Sequence, residues 1–238
     1  MIGRLVAVAL LGGVVLATSN ASAGQVEVIA LGGFNGLARL ERNGTPRSGI
    51  VLVSGGDGVI GLSQDGSIRY SGNQLVRTQG AYASAGLAAL VVDQGVPLGA
   101  AVAALRQRGV KKVTLAGTSR GTLRIAEQIG RLSGSERPDA VVFTAGFYDR
   151  EGGNENVQEF IGSPNVLPPT MVVHHRNDGC KVTPPAGVAQ FGKWAGSKAR
   201  IVWLSGGTSK GNPCQAQSYH GFLGLDGQVV ATVAGFAR

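Results

Sequence analysis

Six short apolar runs, rich in valine, punctuate the chain at regular intervals. They fall at residues 50–53 (IVLV), 87–92 (LAALVV), 113–116 (VTLA), 140–144 (AVVFT), 171–174 (MVVH) and 201–204 (IVWL). Continuous apolar runs of four to six residues, bounded by turn formers, are the pattern of strands covered on both faces. Helix-length segments lie between them, such as 98–105 and 122–132, and in the latter Ile125, Ile129 and Leu132 keep an i, i+4, i+7 spacing. Strand and helix alternate from residue 50 onward, which predicts an α/β fold: a mainly parallel sheet between two helical layers, three layers in all. Residues 26–40 predict one or two extra strands before a turn at Asn43-Gly44. No repeat, linker or low-complexity tract divides residues 24–238, so they read as one domain. One polar stretch, 148–169, breaks the rhythm and ends in Pro168-Pro169. A loop of that length suggests a functional segment or small cap, too short for a large lid.

The first 23 residues read as a secretory leader. Arg4 supplies a positive start, residues 5–17 are apolar, and Ala21-Ser22-Ala23 fits a small-residue cleavage site. The apolar run is shorter than the roughly 20 residues a membrane span needs. The expectation is therefore a periplasmic or secreted protein with no stable membrane anchor. The chain's formal charge of +8 raises nucleic acid as a partner. The basic residues are scattered, however, with only Lys111-Lys112 adjacent, so nucleic acid is not expected.

Gly117-Thr118-Ser119-Arg120-Gly121 matches G-x-S-x-G, and so does Gly207-Thr208-Ser209-Lys210-Gly211. Thirty-nine glycines make the pattern cheap in this chain, so context must separate the two. A nucleophile elbow needs a strand feeding a sharp turn that feeds a helix. Ser119 has a predicted strand before it and a predicted helix after it. Ser209 is followed by Asn212-Pro213, where a proline stops the helix that should be starting. Ser119 is the candidate.

A serine nucleophile needs a base, and the chain holds only His174, His175 and His220. His220 lies in a loop after the last predicted strand, and Asp178 follows a late strand. The order Ser119, Asp178, His220 is the one this type of sheet uses for a catalytic triad. Ser119 would attack, His220 would shuttle the proton, and Asp178 would hold the imidazole in the right tautomer. The Gly-rich segment 54–58 follows an early strand and could give oxyanion donors from the backbone N–H of Gly56 or Asp57, with that of Arg120 as the other. The Asp57 carboxylate is expected to turn away and cap a neighbouring loop.

Cys180 and Cys214 are the only cysteines. In an oxidising compartment they could pair, tying the acid loop to the histidine loop; two unpaired buried thiols are the alternative. No metal is expected, because adjacent histidines on a strand point to opposite faces and pairing removes the Cys180 thiolate. No cofactor is expected either. Gly32-Gly33-Phe34-Asn35-Gly36 hints at a dinucleotide loop, but its glycine spacing is incomplete and the Asn43-Gly44 turn leaves little room for the helix such a loop must open.

With these motifs in this order, the chain resembles an α/β-hydrolase over nearly all of residues 24–238. Residues 174–182 and Pro184 are similar to the strand-end segment of dienelactone-hydrolase and prolyl-oligopeptidase-like serine hydrolases, where a strand-end histidine precedes the acid by four residues. The resemblance implies Asp178 as the acid and His174 as a structural neighbour. It departs from that pattern at His175, where glycine is usual, and at Arg120 beside the nucleophile. The implied activity is hydrolysis of a small-molecule carboxylic ester through an acyl-enzyme on Ser119. A peptidase or amidase on the same residues, or a non-catalytic binding protein retaining the fold, is the alternative. The sequence leaves substrate and oligomeric state open.

Overall fold

A computed structural model describes residues 24–33, 36–150 and 155–238; the predicted leader, residues 1–23, lies outside them. In chain order the elements are β1 (Gln25–Ala30), β2 (Leu37–Arg42), β3 (Ser48–Val53), α1 (Gln74–Arg77), α2 (Gln79–Ser84), β4 (Ala88–Val92), α3 (Leu98–Gln107) and β5 (Lys112–Thr118). There follow α4 (Arg120–Ile129), β6 (Ala140–Thr144), α5 (Val157–Ile161), β7 (Thr170–His175), α6 (Ala186–Ala195), β8 (Ala199–Leu204) and α7 (Asp226–Ala237). All eight strands form one sheet in the order β1-β2-β4-β3-β5-β6-β7-β8. The pairs β1–β2 and β2–β4 are antiparallel and the remaining five are parallel.

The apolar runs lack a period of two because both faces of the sheet are covered. In β3, Ile50 and Leu52 join an apolar cluster with Leu75, Tyr82, Val229 and Val233 from α1, α2 and α7. Val51 and Val53 point the other way, to Leu105, Ile125 and Phe191 from α3, α4 and α6. Every residue of β4 and β6 is buried. Burial of apolar side chains on both faces is the main stabilising term in such a sheet, at roughly 25 cal/mol per Å².

Sheet order also places the site. The chain leaves β3 toward β4 on one side, then crosses back to β5 on the other. Register pairs Val53 with Gly117 and Thr118 with Thr144, so the loops after β3 and β5 emerge side by side where the winding reverses. Crevices at such switch points, outside the carboxyl ends of parallel strands, are where α/β sheets bind ligands.

Three features differ from the sequence reading. The predicted strand 113–116 runs to Thr118 and the predicted helix 122–132 starts at Arg120, because a single residue, Ser119, makes the turn between them. The segment 148–169 is not a structureless loop. Asn156 caps α5, its Oδ1 accepting from Glu159 N at 2.9 Å, and Val157, Ile161 and Leu167 are buried against the core. Among the described residues this stretch is a packed shoulder beside α4. Helices α1, α2 and α6 had no periodic signal strong enough to read. The glycine-rich stretch around Gly32 joins antiparallel β1 and β2, with Leu31 N bonded to Gly36 O at 2.7 Å, and so leads into a strand rather than a helix.

Candidate active site

Ser119 occupies the turn between β5 and α4 with φ 53° and ψ −127°. A left-handed φ is costly for a residue with a Cβ and persists only where surrounding structure enforces it. Here the two flanking glycines make that possible. A Cβ on Gly121 would stand 2.3 Å from Val53 O, and one on Gly117 would stand 2.6 Å from Gly121 O. Only glycine lets β5, α4 and β3 approach this closely. The turn is held by Ser119 N donating to Thr144 O at 3.0 Å and Thr122 N donating to Ser119 O at 2.9 Å.

Ser119 and His220 line one cavity of about 770 Å³. Its apolar wall includes Val59, Ile60, Tyr70, Phe147 and Val182, while Asn73, Gln74 and Gln215 contribute polar groups. The cavity also borders Gly55, Gly56 and Arg120, but not Asp57. Among the described residues, the N–H groups of Gly56 and Arg120 make no internal hydrogen bond. Asp57 Oδ1 instead accepts from Val59 N at 3.0 Å, so the carboxylate caps its own loop and not, as the sequence reading expects, a neighbouring one.

Two long-range contacts hold this glycine-rich loop. The Arg124 guanidinium, reaching over from α4, donates to Ser54 O. Burial lowers the pKa of Arg124, against the opposing pull of Asp57, Glu127 and Asp93. Gly58 has φ +89°, a left-handed conformation that favours glycine, and a Cβ there would meet the end of the Arg124 side chain. Beyond it, the buried Asp93 carboxylate accepts from Ile60 N and Leu62 N, both at 2.8 Å. Neither Arg124 nor Asp93 carried a sequence signal.

Asp178 and His220 come together across 42 residues of chain. His220 Nδ1 lies 2.9 Å from Asp178 Oδ2, with both side chains buried. Asp178 Oδ1 accepts from Cys180 N at 2.9 Å, and Thr183 Oγ1 donates to Oδ2 at 3.2 Å. Thr183 Oγ1 also stands 3.0 Å from His220 Nδ1. The consistent assignment has Nδ1–H donating to Asp178 and the threonine hydroxyl donating to the same carboxylate. Thr183 is a neighbour that sequence reasoning missed, since nothing in its residue type sets it apart.

The other two histidines are already engaged. His174 is fully buried, its Nε2 lying 3.2 Å from Thr183 O and 3.4 Å from Asp178 Oδ2. Burial pushes its pKa down to about 4, outweighing the attraction of Asp178. It is therefore neutral at pH 7, with Nε2–H pointing at the acid loop. His175 points to the opposite face, where Nε2 meets Gly206 O at 3.0 Å and Nδ1 accepts from Asn177 N at 3.0 Å. Its ring stacks on Tyr219 at 4.5 Å, one residue before His220.

Cys180 and Cys214 form a disulfide, and Cys214 borders the cavity. Arg120 pairs with Glu155 at 3.3 Å, both side chains being exposed. Ser209 is exposed in the loop after β8 and does not border the cavity.

No protein-family model and no curated protein matches this chain. Solved structures do. The chain is similar to an esterase from Pyrococcus furiosus at TM-score 0.60 and 12% identity, covering 95% of this chain and 94% of that one. It is similar to the esterase domain of a Rhodothermus marinus protein at TM-score 0.59 and 15% identity, covering 89% and 98%. A serine hydrolase without a lid from Xanthomonas campestris is similar at TM-score 0.56 and 13% identity, covering 89% and 95%. Strand order, the strained turn at the end of β5 and these likenesses converge: the chain has the α/β-hydrolase fold.

Proposed function

We propose that this protein is an exported serine esterase that cleaves a small carboxylic ester through an acyl-enzyme on Ser119. One observation carries the reading. The residue forced into a left-handed φ at the β5–α4 turn is a serine, and it shares its cavity with a histidine hydrogen-bonded to a buried aspartate.

In this mechanism His220 Nε2 takes the Ser119 proton as Oγ bonds to the ester carbonyl carbon. The carbonyl π electrons move onto oxygen, where the N–H groups of Gly56 and Arg120 stabilise the charge. Collapse of this intermediate expels the alcohol, which takes the proton from His220, and leaves the acyl group on Ser119. Water then repeats the sequence with His220 as base, releasing the acid and restoring the serine. Asp178 stabilises the transient imidazolium and remains ionised throughout.

The cavity's size, its apolar wall and the esterases among the structural likenesses support a small ester as substrate. The disulfide and the leader-like first 23 residues support export to an oxidising compartment. Turnover of p-nitrophenyl acetate and butyrate by wild type and Ser119→Ala tests the proposal. The variant is expected to lose at least about 10³-fold in kcat, in line with losses of triad nucleophiles. Equal turnover by the two proteins would refute it.

A further inference from the structure

Asn73 borders the same cavity and has no part in the steps above. Its orientation is set locally. Oδ1 accepts from Leu75 N at 3.1 Å, capping the first turn of α1, so the oxygen is committed. The amide nitrogen Nδ2, which carries two protons, must then face the other way. No described residue accepts from it.

That direction is toward the nucleophile. A Cβ built on Gly55 would lie 3.6 Å from Asn73 Nδ2 and 2.9 Å from Ser119 Cβ. The amide and the serine therefore face the same side-chain-free patch of Gly55, immediately before Gly56. A larger residue at 55 would occupy the space between them.

The segment carrying Asn73 is fixed against the histidine loop. Arg77 donates through Nη1 to Gly72 O at 2.8 Å and through Nη2 to Gly221 O at 2.7 Å, the carbonyls next to Asn73 and His220. Its guanidinium also makes a two-pronged pair with Asp226 at 2.9 and 2.7 Å. A bidentate arginine of this kind gives geometric constraint as well as attraction.

We propose that Asn73 Nδ2 is a third donor to the oxyanion of the tetrahedral intermediate, beside the backbone N–H groups of Gly56 and Arg120. The assignment rests on the serine esterase reading. No proton changes hands in this role: as the Ser119 Oγ–carbon bond forms and the π pair moves to oxygen, the N–H shortens its hydrogen bond to the growing charge. A neutral, fixed amide strengthens its interaction in the transition state more than with the substrate carbonyl, so its contribution falls on kcat.

Asn73→Asp and Asn73→Ser both keep an oxygen able to cap α1 while removing the amide donor. Thermal unfolding, kcat and KM on p-nitrophenyl acetate, and fluorophosphonate labelling of the wild type form the test. The expected result is wild-type-like unfolding, a fall in kcat of about 100-fold or more, and KM within about threefold of wild type. A wild type that labels at Ser119, together with variants whose kcat is unchanged or whose loss is confined to KM, would overturn the role of Asn73 and leave the esterase reading standing. A wild type that does not label at Ser119 and turns over no ester would overturn both.

Discussion

The bond between Cys180 and Cys214 joins the loop that carries Asp178 to the loop that carries His220. Both ends are close to the chemistry. Cys180 N donates to Asp178 Oδ1 at 2.9 Å, and Cys214 borders the cavity that Ser119 and His220 line. Asp178 and His220 come from loops after different strands, so their separation depends on whatever fixes one loop to the other.

Removing the clasp with the double substitution Cys180→Ser and Cys214→Ser should therefore cost both stability and turnover. Closing a 34-residue separation stabilises by about 3–4 kcal/mol in the chain-entropy view. Urea unfolding of the two proteins measures this, and esterase assays on the folded variant should show kcat reduced more than KM is raised. Matching unfolding midpoints would show that the bond constrains nothing.

The turn at Ser119 depends on absent side chains. Gly121→Ala would put a methyl 2.3 Å from Val53 O, a backbone atom at the buried end of β3, so α4 must shift away from the sheet. A loss of roughly 1–3 kcal/mol is expected from overpacking of this kind. Denaturant titration checks it, and a variant as stable as wild type would show that the helix has room to move.

Acid should destabilise the fold through His174. Its pKa falls from 6.5 to about 4 on burial. Below pH 6.5 the unfolded chain binds a proton that the native imidazole refuses, so unfolding becomes easier as pH drops. This contribution is complete above about pH 6.5, declines on acidification and is lost by about pH 4, amounting to about 3 kcal/mol. Comparing urea midpoints of wild type and His174→Asn at pH 7.5 and 4.5 isolates the effect. The wild type should lose more stability across that interval, and parallel losses would contradict the assignment.

Thr183→Val keeps the shape of the side chain and deletes the hydroxyl that donates to Asp178 and touches His220 Nδ1. A drop in kcat of about tenfold is expected, because the carboxylate that orients His220 loses a donor. Unchanged kinetics would make Thr183 a packing residue only.

Much of this architecture was legible because it follows from burial. Runs such as 140–144 read as strands since both faces of β6 are covered, and the i, i+4 spacing of Ile125 and Ile129 marked α4. Ser119 could be separated from Ser209 because a strand-to-helix turn and a proline leave opposite signatures in sequence. The three histidines and two cysteines were few enough to rank by position, and Asp178 was singled out by its place after a late strand. The contacts that tune the site were not legible. Arg124 reaches Ser54 across 70 residues and Arg77 reaches Asp226 across 149, and polar residues that act through such contacts leave no periodic pattern. Asn73 and Thr183 likewise look like ordinary loop residues until the fold brings the first to the cavity and the second against Asp178 and His220.

The central claim is that Ser119 is an activated nucleophile. Incubating the oxidised protein with a fluorophosphonate probe and mapping the modified peptide tests nucleophile, base and oxyanion geometry together. A single adduct on Ser119, lost in His220→Ala, is the result expected. Absence of labelling at Ser119 under conditions where a known serine esterase reacts fully would contradict it.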